Sequence, residues 1–81
     1  MKHFLIHYDR PAGRLLSIRE YSDEEQAQAN ADCDAQEFAK PDHVEVVLLT
    51  AACRADIERT HARYFKTPRE MVESYFSAAS T

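Results

Sequence analysis

Arg54, Arg59, His61, Arg63, Tyr64 and Lys66 fall within thirteen positions of one another in a stretch that begins CRADIERTHARYF at Cys53. Side chains of these types bind anions. A guanidinium grips a carboxylate or phosphate with two parallel bonds, an ammonium adds a point charge, and a nearby ring offers a face for stacking. If the stretch is helical, Arg59, Arg63 and Lys66 lie on one row at i, i+4 and i+7. Ile57, His61 and Tyr64 then form an apolar row at the same spacing, with Phe65 four residues after His61. The spacing therefore predicts a helix over Cys53–Phe65 with one apolar and one basic face. These six residues are the candidate binding site.

Catalytic chemistry is harder to assemble. Cys53 stands at the start of this helix beside Arg54, and both features favour a thiolate. His61 is a histidine that could accept a proton near neutral pH. The two are eight residues apart, roughly 12 Å along a helix axis, so they cannot hydrogen-bond within one chain. His3 and His7 share a strand face but stand roughly 13 Å apart, too far to hold one zinc ion. Asp34 and Glu37 are three residues apart on an acidic helix, where a solvated face is the ordinary explanation. The single glycine leaves no phosphate-cradling loop. The residues therefore give no catalytic set, no metal site and no cofactor.

The elements that would position these groups are legible from patterning. His3–Asp9 alternates as a strand, Pro11-Ala12-Gly13 turns the chain, and Leu15–Tyr21 returns. Pairing Arg10 with Arg14 sets Tyr8 against Leu16, Ile6 against Ile18 and Phe4 against Glu20, which gives a nearly continuous apolar face. The other face, with His3, Leu5, His7, Ser17, Arg19 and Tyr21, is mixed. Ser22-Asp23-Glu24-Glu25 is a capping box that opens a helix to Ala39, and Pro41 follows its end. Ala27, Ala31, Ala35 and Phe38 make its apolar row, expected to face inward. Val44–Ala51 is apolar enough for a third strand beside the first. Thr67-Pro68-Arg69-Glu70 opens a last helix through about Ala78 with Val72, Tyr75, Phe76 and Ala79 on one row. The order is ββαβαα: a single α+β domain, with a mainly antiparallel three-stranded sheet in the order 2-1-3 and helices packed on it.

Composition narrows the function without naming it. The chain has 81 residues, 44% hydrophobic and 30% charged, as expected of one globular domain with a modest core. No apolar run approaches the roughly 18 residues of a membrane span. The charged N-terminal residues and the two cysteines fit a cytoplasmic chain with reduced thiols. The net charge of −4 hides an asymmetry. Six acids and no base lie between Asp23 and Glu37, whereas Arg54, Arg59, Arg63, Lys66 and Arg69 face only Asp56 and Glu58. Open sheet edges and a mixed second face favour a homodimer. The preferred reading is a small, non-catalytic protein-interaction or adaptor module. One alternative is a nucleic-acid- or ribosome-associated regulator using the basic helix. Another is a small enzyme whose site, built on Cys53 or His61, is shared across a dimer interface.

Overall fold

A computed structural model describes residues 1–65. The expected C-terminal helix, and Lys66 before it, lie outside the described residues. Strand β1 (Lys2–Asp9) and strand β2 (Arg14–Tyr21) form the hairpin, α1 (Gln26–Ala39) follows, β3 (Val44–Ala51) returns, and α2 (Arg54–Thr60) comes next. Short 3-10 turns precede α1 at Asp23–Glu25 and follow α2 at Ala62–Tyr64. The sheet order is β2-β1-β3, and both pairings are antiparallel. This is the α+β arrangement that the pattern predicts. Since β2 and β3 each run antiparallel to β1, they are parallel to one another. Helix α1 carries the chain from one edge to the other across one face. No described helix is long and apolar enough to cross a membrane.

The hairpin turn differs from expectation by one residue. Gly13 donates its N–H to the Arg10 carbonyl at 3.2 Å, with Pro11 in the second turn position. This closes a four-residue loop, and Asp9 rather than Arg10 pairs with Arg14. Gly13 has φ 63°, which a side chain would disfavour, and the Asp9 carboxylate accepts the Ala12 N–H at 3.1 Å. The extra loop residue shifts the register locally. Tyr8 faces Leu15 instead of Leu16, and Leu16 becomes a β-bulge, 46% exposed. Beyond the bulge the expected register holds, with Ile6 opposite Ile18 and Phe4 opposite Glu20.

Each face of the sheet carries its own core. Phe4, Ile6 and Tyr8 of β1 pack with Ile57 and Tyr64 on one side. Leu5, Tyr21, Val44 and Val46 pack with Ala29 of α1 on the other, with Cys33 beside them. Strand β1 thus lies between two helical layers, and Ile6 is fully buried.

The orientation of α1 reverses the expected one. Ala29 is fully buried and Cys33 half-buried, while Ala27, Ala31, Ala35 and Phe38 are all exposed. Phe38, the expected inward anchor, is 93% exposed. The helix carries two rows of small apolar residues, and polar contacts select between them. The Tyr21 hydroxyl on β2 donates to Asp32 at 2.6 Å, and the Gln28 amide donates to the same carboxylate at 2.7 Å. The Tyr21 bond, from β2, ties the Ala29–Cys33 row to the sheet, while Gln28, on the same helix, steadies the carboxylate. Both ends of α1 follow the sequence signals. Glu25 accepts the Ser22 N–H at 2.9 Å, and Lys40, preceding Pro41, is extended.

The basic stretch is not one helix. Helix α2 ends at Thr60, His61 leaves helical geometry with φ −124° and ψ 47°, and a tighter turn follows. The Tyr64 N–H reaches the His61 carbonyl at 3.1 Å and the Phe65 N–H reaches that of Ala62 at 3.0 Å. Thr60 donates its hydroxyl to the Asp56 carbonyl at 2.8 Å, a back-bond that competes with helix continuation. The break lets Tyr64 descend beside Tyr8 while His61 stays half-buried at the rim.

Candidate functional site

The break at His61 separates the residues that one helical stripe would have aligned. Arg63 turns back to β3, where it donates to Glu45 at 3.1 Å, and Arg10 reaches the same carboxylate at 3.3 Å. Arg63 also lies over the rings of Tyr64 and Tyr8, with its central carbon 4.6 and 5.5 Å from their centroids. Arg59 pairs with Asp56 at 3.3 Å within α2. Arg54 pairs with Glu58 at 3.3 Å and lies 5.6 Å from the centre of the Phe65 ring. Each of the three candidate-site arginines, Arg54, Arg59 and Arg63, therefore already has a carboxylate. Most of these pairs are exposed, and such pairs contribute little to stability. Tyr64 is buried and meets Tyr8 edge to face at 5.2 Å, so its ring has little surface left for stacking. His61 lies 6.3 Å from Tyr64, centroid to centroid.

Electrostatics around Glu45 are strongly local. Burial raises the pKa of this carboxyl, but hydrogen bonds from Tyr64 and Arg10 and the charge of Arg63 outweigh burial and hold it below its ordinary value. Tyr64 moves the opposite way: burial, then its bond to Glu45, raises the phenol. The other sheet face repeats this grouping. Burial and the bond to Asp32 raise Tyr21, while bonds from Tyr21 and Gln28 lower Asp32. Arg19 stands 4.8 Å over the Tyr21 ring and 3.7 Å from Asp32. Each helical layer is thus pinned to the sheet by a buried tyrosine, a carboxylate and an arginine lying over the ring.

Two histidines hold hydroxyl groups. His3 is buried and its Nδ1 lies 2.8 Å from the Thr50 hydroxyl, with Nε2 3.5 Å from Asp23. His7 Nδ1 lies 3.1 Å from the Ser17 hydroxyl. In both cases the partners are directly opposite across the sheet, so ordinary cross-strand pairing accounts for the contact. Among the described residues no three His, Cys, Asp or Glu side chains gather in a group that could hold a metal ion.

The thiols occupy different environments. Cys53 precedes α2 and is exposed. Cys33 is half-buried against the sheet, and burial, aided by Glu37 and Asp34, raises its pKa. A thiol-reactive disulfide such as Ellman's reagent should react with the native chain in two phases, Cys53 first. In denaturant the two rates should converge. A fast phase that survives Cys53→Ser would show Cys33 to be open instead.

Residue spacing leaves unnoticed the surface on the opposite side of the molecule from α2. A groove of about 650 Å³ runs between the C-terminal half of α1 and β2. Leu16, Ala35, Ala39, Pro41 and Val44 form its apolar walls, and His7, Ser17, Lys40 and His43 supply polar groups. It exists because the bulge turns Leu16 outward and because α1 packs mainly over β1 and β3, so that among the described residues the Leu16–Ser17 part of β2 is left exposed. A smaller cavity of about 220 Å³ lies on the other face beside Phe4, Ile18, Glu20 and Arg54. In comparisons with known proteins, the chain matches no family model, no curated protein and no solved structure.

Proposed function

We propose that this protein is a small non-catalytic interaction module that acts as a homodimer, with the outward row of α1 as the contact between copies. The observation that carries the reading is Phe38, 93% exposed at the end of a row whose other members, Ala27, Ala31 and Ala35, are also exposed. A large side chain at one end of a row of alanines complements itself in an antiparallel pair. Phe38 of each copy then lies over the small residues near the start of its partner's helix, and the alanines let the axes approach closely.

The test is sedimentation of the whole chain and of Phe38→Asp. The native chain should sediment at twice 9.3 kDa. Phe38→Asp should weaken self-association by at least about tenfold, because a buried aromatic anchor becomes a buried charge. Its thermal stability as a monomer should be unchanged, since Phe38 makes almost no burial within its own chain. A native chain that stays at 9.3 kDa at high micromolar concentration would defeat the reading.

A further inference from the structure

Beyond self-association, we propose that the groove between α1 and β2 binds a free medium-chain monocarboxylate, with its hydrocarbon tail along the apolar wall and its head at Lys40. The groove's 650 Å³ lies within the usual range for small-molecule sites, about 300–1,000 Å³. Its walls come from three separate places: the bulged Leu16, the α1 flank at Ala35 and Ala39, and the Pro41–Val44 turn into β3. Such walls suit an unbranched apolar body.

The polar groups choose the head. Among the described residues the lining holds one lysine, two histidines, a serine and the Gln36 amide, and no carboxylate. An anion therefore meets complementary charge there, whereas a cation meets Lys40. Lys40 lies just past the end of α1 in an extended conformation, and His43 lies three residues on, so both flank the same end of the groove. His7 rises from the floor with Nδ1 held 3.1 Å from the Ser17 hydroxyl, which fixes its ring plane and leaves Nε2 as the other ring nitrogen for a ligand. A carboxylate accepts from ammonium and imidazole donors and needs to give no proton in return. A single negative charge matches a single lysine better than a dianionic phosphate ester does.

Calorimetric titration of the whole chain with decanoate, decanol and decyltrimethylammonium separates tail from head. Decanoate should bind saturably at one per chain, and both decanol and the cationic amphiphile should bind at least about tenfold more weakly, the loss of one charge-assisted contact. Lys40→Met, which keeps the aliphatic stem, should weaken decanoate by about the same factor and leave decanol unchanged. Leu16→Asp should abolish binding of decanoate, with the fold verified by circular dichroism. Equal affinity for decanoate and decanol, unaltered affinity in Lys40→Met, or no saturable binding would each overturn the proposal. Phe38→Asp, made monomeric, should bind decanoate as the native chain does. Loss of binding in that variant would overturn the site as a property of the single chain, and the test of the dimer would stand apart from it.

Discussion

Tyr64→Ala is expected to destabilise the protein by about 3–5 kcal/mol, the range for removing a large aromatic ring from a core. Tyr64 is 6% exposed, packs edge-on against Tyr8 and belongs to the same cluster as Phe4, Ile6 and Ile57. Its neighbours cannot collapse into the gap without moving β1, which is fixed by strands on both sides. The loss is large for a domain of this size, whose whole stability is on the order of 5–15 kcal/mol. Urea unfolding followed by far-ultraviolet circular dichroism measures it. Tyr64→Phe serves as the control, because it keeps the ring and the Tyr8 contact and removes only the hydroxyl that meets Glu45. It should lose much less. If Tyr64→Ala unfolds at the native midpoint, the turn at Ala62–Tyr64 does not hold α2 to the sheet. If Tyr64→Phe costs as much as the alanine variant, the stabilisation comes from the hydroxyl and the Glu45 cluster, and ring packing is secondary.

Arginine in this region stabilises the layer by the same geometry. Arg63 reaches Glu45 at 3.1 Å while covering the Tyr64 ring, so its charge is engaged by its own chain. The sequence presented Arg59 and Arg63 as one basic row, and that inference failed on a single residue. His61 leaves helical geometry, and Arg63 turns away from the row. Periodicity could not reveal the break, because Ile57, His61 and Tyr64 are spaced correctly for an unbroken helix. Thr60, whose hydroxyl bonds back to Asp56, was the available signal, but its preference is weak when read alone.

Legibility followed the strength of the local physics. The strand spans, the capping box at Ser22 and the stop at Pro41 depend on short-range rules, the sheet order follows from the rule for connecting strands, and the structure follows both. The facing of α1 depended on a choice between a row of three alanines with Phe38 and the shorter Ala29–Cys33 row. Phe38 tilted the sequence reading to the wrong row, because a large aromatic residue is ordinarily a core residue. The deciding contact, Tyr21 with Asp32, spans eleven residues and two elements, so no window of helical spacing contains it. The groove was illegible for a related reason. It arises from a bulge in β2 and from the lateral placement of α1, and neither is a property of any one segment.

Tyr21→Ala should be as damaging as the change at Tyr64, about 3–5 kcal/mol, because Tyr21 is 1% exposed and ties β2 to α1. Its consequences also extend to pH. Asp32 and Glu45 are both held below their ordinary values of 3.8 and 4.5, so each adds stability that is fully present above those values. That contribution disappears as pH falls through the lower folded-state values, when the native carboxylates finally take up protons. Tyr21 and Tyr64 are raised above 10.0, so the contribution of each is complete below pH 10 and declines as pH rises from there towards the folded-state values. Stability measured across pH should therefore be level near neutrality and fall at both extremes. Tyr21→Phe should flatten part of both limbs at once, since it removes the raised phenol and the bond that lowers Asp32. Asp32→Asn should flatten mainly the acid limb. If the acid limb of Tyr21→Phe has the native slope, the hydroxyl does not control Asp32, and the orientation of α1 must rest on the packing of Ala29 and Cys33 alone.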